Sequence, residues 1–287
     1  MKVAVIGGAG RIGAWFVDYF SSKGFPTVIS DPRIEETHSV ALAVGVEIAE
    51  NNIRAVKNAD LALICVPIDK IAEVLHEVAP HMKKEAVLAE VSSIKEKTIE
   101  ALRRASSFGV RPLSIHPMFG PATKSLKGKT IVVVPVIDGD FEADIAKSLF
   151  EEANIVVSDK REHDSAMGIV LSLTYFMNLA FAQVFSKMDI KSLKMVAGTS
   201  FTVQLAIAES IVSEEPNLVA SLLRENRFAD DYFDSFISKT KEIRELINSD
   251  YEGFIQLYDS LRVSLGSDPD YSRAAERRQR AFEALIK

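Results

Sequence analysis

The six residues His116-Pro117-Met118-Phe119-Gly120-Pro121 follow a short apolar run and place an imidazole where a strand gives way to a loop. A neutral imidazole, with its ordinary pKa near 6.5, can accept a hydroxyl proton while hydride leaves the same carbon. Ser92-Ser93-Ile94-Lys95 closes another apolar run and opens a helical pattern. One of its serines reads as the N-cap of that helix, and the other hydroxyl is expected in the same crevice as His116. The other histidines are weaker candidates. His38, His76 and His81 fall on predicted exposed positions, and His163 reads as a cap or a residue at the seam between two domains.

A hydride needs an acceptor, and the start of the chain supplies a place for one. Gly8-Ala9-Gly10-Arg11-Ile12-Gly13 follows a predicted strand ending at Ile6 and opens a helix. Glycines at this spacing make a tight turn, admit a pyrophosphate close to the backbone and let helix pack on strand. The phosphates then meet the amides of a helix N-terminus. Asp31, at the end of the second predicted strand, stands where an acid binds ribose hydroxyls and repels a 2′-phosphate, which favours NAD over NADP. Arg33 has two readings, a partner for that phosphate or a solvated loop charge. Val66-Pro67 ends a further strand on the same side, its proline suited to a helix's first turn. Ser92 completes the expected cofactor contacts.

These residues need a scaffold, and the hydrophobic pattern predicts one. Strands are expected at Lys2–Ile6, Thr27–Ser30, Leu61–Val66, Ala86–Val91, Leu113–Ile115, Thr130–Val136 and Ile155–Val157. Helices are expected between them at Arg11–Ser22, Ile68–Ala79, Lys95–Ser106 and Phe141–Ala153. Apolar strands alternating with amphipathic helices predict an α/β fold, a Rossmann-type doubly wound parallel sheet, over residues 1–159. Residues 160–287 read as helices only: Glu162–Ser186, Ile190–Ala208, Glu215–Arg224, Phe228–Asn248, Tyr251–Leu265 and Tyr271–Ile286. A helical block this apolar predicts a homodimer.

Composition narrows the classes. Forty acidic residues against thirty-four basic ones give a net charge of −6, and no basic stripe interleaves with aromatics. Nucleic acid is therefore not an expected partner. The single cysteine, Cys65, lies in an apolar run and fits a reducing cytoplasm. The N-terminal apolar stretch runs into the glycine turn and does not read as a signal peptide. Ser165–Ser186 carries no charge, yet Ser172, Thr174, Asn178 and Gln183 interrupt it, so it is expected as a buried helix and not a membrane span. No metal is expected.

The order of Gly8–Gly13, Val66-Pro67, Ser92–Lys95 and His116–Pro121 resembles the prephenate dehydrogenase family of tyrosine biosynthesis. That family follows its Rossmann domain with a helical dimerisation domain. The resemblance implies NAD-dependent oxidative decarboxylation of prephenate, with His116 as hydrogen-bond acceptor and Ser93 bridging substrate, histidine and nicotinamide. It places substrate contacts near Ser172, Thr174, Tyr175 and Gln204, Tyr175 standing about where a histidine is common. The competing reading of all four is a buried helix of core residues. One departure concerns an arginine that grips a substrate carboxylate: Ser210 stands in its place, and Thr199–Glu215 has no basic residue. Lys124 is the first substitute cation, an arginine of a dimer mate the second. Arogenate is an alternative substrate. A β-hydroxyacid dehydrogenase would need a lysine that Ser165–Ser186 lacks, and a non-catalytic dinucleotide module would not need both His116 and Ser93.

Overall fold

The computed structural model describes residues 1–286; Lys287, the last residue of the predicted helical domain, lies outside them. The chain forms two compact units, Met1–Met167 and the remainder from Gly168. The first unit opens with β1 (Val3–Ile6), α1 (Arg11–Ser22), β2 (Thr27–Ser30), α2 (Ile34–Val44), β3 (Glu47–Ile48) and α3 (Asn52–Val56). It continues with β4 (Leu61–Ile64), α4 (Ile68–Val78), β5 (Val87–Glu90), α5 (Glu96–Ser106) and β6 (Arg111–Pro117). It ends with β7 (Thr130–Val133), α6 (Gly139–Leu149), β8 (Asn154–Val157) and α7 (Lys160–Met167).

All eight strands join one sheet in the order β3-β2-β1-β4-β5-β6-β7-β8. Successive side chains of a strand point to opposite faces, and here both faces are covered. Ala4, Ile6, Ala62, Ile64 and Leu88 pack with Leu75 and Leu102 on one side. Val3, Val5, Leu61, Leu63 and Leu113 pack with Phe16, Phe20 and Phe150 on the other. Each large side chain so buried stabilises the fold by about 1.5–3 kcal/mol. The strand order reverses at β1, which pairs in parallel with both β2 and β4. The crevice beyond the carboxyl ends of β1 and β4 is thus the switch point where ligands of such sheets bind.

The sheet is parallel through β6, but β7 pairs with β6 antiparallel, and β8 then runs parallel to β7. Only the β6–β7 pairing departs from the expected parallel sheet, and the link between these strands, residues 118–129, is a loop without the helix that usually carries a parallel crossover. That loop carries the second half of the His116 motif. It is tied to α1, where Trp15 Nε1 donates to the Thr123 carbonyl at 2.7 Å and the Trp15 and Phe119 rings lie 4.9 Å apart.

The second unit begins with one π-helical stretch, Gly168–Leu173, followed by α8 (Thr174–Phe185), α9 (Ile190–Met195) and α10 (Thr199–Val212). Then come α11 (Pro216–Arg224), α12 (Ala229–Ser249), α13 (Tyr251–Leu265) and α14 (Ala274–Leu285). The expected helix Ile190–Ala208 is two, divided before Gly198, which is the extended residue preceding α10. The expected burial of the uncharged run is not met within the chain. Lys160–Phe185 is the one stretch among the described residues long and apolar enough to cross a membrane, and 22% of its apolar window is buried. Ile169, Val170 and Val184 are exposed.

Candidate active site

The turn after β1 is built for an anion. The residue in left-handed conformation is Gly7, at φ 79°, one position before the motif read from the sequence. Gly13 lies so close to the turn that a Cβ there would sit 2.2 Å from the Gly7 carbonyl oxygen, and a Cβ on Gly8 would meet Ile29 at 2.5 Å. Gly10, the N-cap of α1, makes no side-chain cap, and the first turn holds no acid. The amides of that turn therefore keep their donor capacity for a phosphate. Ala9 is half-buried in the turn; Arg11 is exposed and Ile12 partly buried at the start of α1.

Asp31 reaches back to the same turn. Its Oδ2 accepts from the Ala9 amide at 3.1 Å and from Arg33 Nη2 at 2.7 Å, while its Oδ1 accepts from Arg33 Nε at 2.9 Å. Burial opposes ionisation of Asp31, but the Arg33 fork and the Ala9 amide outweigh it and hold the carboxyl below the usual range. Arg33, whose side chain is 49% exposed, forms an ion pair with Asp31. Val66 is half-buried and Pro67 exposed, the latter at the N-cap of α4. The amides of the turn suit a dinucleotide pyrophosphate, and the Asp31 carboxylate, an acceptor, suits ribose hydroxyls.

His116 lies in β6 opposite Val132 of β7 and is 5% exposed. Its Nδ1 is 3.0 Å from His163 Nε2, and His163 Nδ1 is 2.8 Å from Asp164 Oδ1. Behind this pair sits a charged cluster with no solvent exposure. Lys95 Nζ donates to Glu90 Oε1 at 2.7 Å and to the Ile115 carbonyl at 2.8 Å, and Ser114 Oγ donates to Glu90 Oε1 at 2.5 Å. Burial lowers the pKa of Lys95, and Glu90 opposes the shift. Burial first, then the Lys95 charge and His163, push the His116 imidazole well below its usual range. His116 is therefore neutral at physiological pH, as a proton acceptor must be.

The expected serine cap of α5 is absent. Its N-cap is Lys95, without a side-chain cap, and Asp164 takes the role from outside by accepting the Lys95 and Glu96 amides, each at 2.9 Å. Ser92 is buried, its hydroxyl donating to the Ile94 carbonyl at 2.9 Å and lying 3.2 Å from Thr98 Oγ1. Ser93 is half-buried.

Comparison with known proteins gives this arrangement a family. The family model described as prephenate dehydrogenase, nucleotide-binding domain, matches residues 20–159. The one described as prephenate dehydrogenase, dimerization domain, matches residues 159–260. The chain belongs to the prephenate dehydrogenase family. It is 31% identical over 275 residues to a probable arogenate/prephenate dehydrogenase of Methanocaldococcus jannaschii, covering 93% of this chain and 62% of that protein. It is 25% identical over 279 residues to the T-protein of Haemophilus influenzae, covering 94% of this chain and 68% of that one. The chain thus spans about two thirds of the length of these relatives. The fold matches the crystal structure of prephenate dehydrogenase from A. aeolicus in complex with hydroxyphenyl propionate and NAD+, with a TM-score of 0.74 at 18% identity over 92% of this chain and 96% of that one.

As a prephenate dehydrogenase family member, the chain carries its remaining candidates in two places. Lys124 is exposed in the loop after His116. The other four belong to the second unit. Ser172 is buried in the π-helical stretch and donates to the Leu222 carbonyl at 2.7 Å, and Thr174 Oγ1 donates to the Ile169 carbonyl at 3.1 Å. Gln204 Nε2 donates to Asn178 Oδ1 at 2.6 Å, whose amide donates to the Thr174 carbonyl at 2.9 Å. Tyr175 is half-buried beside them on α8. Ser210 is exposed on α10. Sequence reasoning missed His163, Asp164, Glu90 and the buried role of Lys95. The adjacent His163-Asp164 pair at the start of α7 was the available signal.

Proposed function

We propose that this protein catalyses the NAD-dependent oxidative decarboxylation of prephenate to 4-hydroxyphenylpyruvate, a step of tyrosine biosynthesis. The observation that carries the reading is a buried, neutral His116 at the end of β6 in a chain whose β1 turn suits a dinucleotide. When bound, NAD supplies the hydride acceptor. His116 accepts the proton of the ring hydroxyl at C4 through Nε2, because its Nδ1 faces His163. Loss of hydride from C4 draws the electrons of the C1–carboxylate bond into the ring, releasing carbon dioxide. The product ring is aromatic, so the protein's work is to orient the substrate and polarise its hydroxyl.

Ser93 bridges the hydroxyl and His116, and Ser92 braces that loop beside the cofactor. Lys124 meets a substrate carboxylate where Ser210 offers no charge, because a carboxylate left unpaired in a closed site is costly. Ser172, Thr174, Tyr175 and Gln204 contribute from the helical unit. Asp31 favours NAD over NADP, because a carboxylate placed for the ribose hydroxyls repels a 2′-phosphate. The proposed assembly is a homodimer through the segment matching the family's dimerization domain. The proposed compartment is the cytoplasm, which suits one unpaired cysteine, Cys65. Arogenate is the second reading, supported by the description of the Methanocaldococcus relative.

Initial rates with prephenate or arogenate, each with NAD or NADP, test the assignment. Prephenate with NAD is expected to give the highest kcat/KM. His116→Asn is expected to lower kcat by about 10²–10⁴-fold with little change in cofactor affinity. Undiminished turnover in that variant would remove His116 from the chemistry.

A further inference from the structure

The hydrogen bonds of His116 continue inward along a line of three buried side chains. His116 Nδ1 faces His163 Nε2 at 3.0 Å, and His163 Nδ1 faces Asp164 Oδ1 at 2.8 Å. Asp164 is anchored at the start of α5, receiving the Lys95 amide on Oδ1 at 2.9 Å and the Glu96 amide on Oδ2 at 2.9 Å. With main-chain donors on both oxygens, Asp164 acts as an acceptor toward its third neighbour. The proton between Asp164 and His163 then sits on His163 Nδ1, and a neutral imidazole with that proton has a bare Nε2. The bare Nε2 accepts, so His116 carries its own proton on Nδ1 and presents an unprotonated Nε2.

We infer that His163 is a positioning residue that fixes the tautomer of His116 and takes up its Nδ1 proton during turnover. This rests on the reading of His116 as the acceptor of the substrate hydroxyl. The reverse tautomer would present an N–H to that hydroxyl and could not accept its proton. The proton count closes: one proton enters His116 at Nε2, and one leaves its Nδ1 for His163 Nε2. No electrons move in the relay. The charged groups around the pair favour this direction. Lys95, held by Glu90 and the Ile115 carbonyl, disfavours a positive charge on His116, whereas a proton on His163 lies against the Asp164 carboxylate. The interaction follows the logic by which a carboxylate orients a catalytic imidazole in hydrolases, lengthened by one ring.

Nitrogen-15 spectra of the full chain, with its five histidines labelled and His116 assigned by comparison with His116→Asn, read the tautomer without mutation of the relay. An Nδ1-protonated His116 with a bare Nε2 is expected; the opposite tautomer overturns the proposal. Steady-state rates supply the second readout. His163→Leu removes the acceptor while filling the site, and His163→Gln sets an amide oxygen near the position of the imidazole Nε2. The leucine variant is expected to lose about 10²-fold or more in kcat with the KM for NAD changed less than about threefold. The glutamine variant is expected to recover at least about tenfold of that loss, because it restores an acceptor for the His116 Nδ1 proton. A leucine variant near wild-type kcat, or a glutamine variant no better than leucine, overturns the positioning role. If His163→Leu is active and His116→Asn is not, this inference alone falls. If both are active, the reading of His116 falls with it.

Discussion

At His116 the local environment sets the charge state, and with it the pH range expected of the proposed base. Burial, the neighbouring Lys95 ammonium and His163 all disfavour the imidazolium, so the ring stays neutral to pH values well below its usual 6.5. A base works when deprotonated, so activity should persist as pH falls below 6.5 and decline only near the lowered value. The expected acid limb of kcat/KM therefore lies below pH 6.5, and a limb at or above it would assign the base to another group. The same shift bears on stability. An unfolded imidazole takes up its proton near 6.5 and the folded one does not, so its contribution is complete above 6.5 and declines as pH drops through that value. The place of His116 at the end of β6 was legible because its neighbours form a motif there. His163 was not, because its partner is 47 residues away and only folding brings the rings within hydrogen-bond reach. Lys95 opens the predicted helix Lys95–Ser106, a position that does not mark it as buried. Its burial follows from Glu90, which a pattern of apolar residues in β5 does not announce.

At the scale of elements, the glycine turn shows how a short sequence pattern becomes geometry. Gly13 touches the Gly7 carbonyl so closely that no side chain fits without moving α1 away from β1. Gly13→Ala is expected to destabilise the first unit by about 1–3 kcal/mol through overpacking. It should also weaken NAD binding by about tenfold or more, since the α1 amides move with the helix. A titration showing unchanged affinity would separate this turn from the cofactor. Arg11–Ser22 and Thr27–Ser30 were read to the residue, because glycines bound one and an apolar run defines the other. The two-residue β3 and the short α3 were not read, being too brief for any period to register. The direction of β7 was hidden for a different reason: an apolar strand has the same pattern whichever way it runs, and only its connection decides. The π-helical stretch Gly168–Leu173 likewise has no signature in a helical apolar run.

For the molecule as a whole, the second unit poses an energetic problem that one chain does not solve. Val184, Met195, Val196 and Val263 are each about four-fifths exposed, and no residue of α13 is buried. Large apolar side chains left this open to water are costly, and the helices are expected to be covered by a second copy. Sedimentation equilibrium should then report twice the 31.6 kDa of the chain. Because association stabilises only the folded form, Tm should rise with protein concentration. Val184→Asp sets a charge on the apolar α8 surface and is expected to weaken the dimer by about tenfold or more, since an unpaired charge is costly to bury. A dimer indifferent to this change would exclude Val184 from the interface. A chain that sediments as a monomer with a concentration-independent Tm would leave the helical unit without its expected partner.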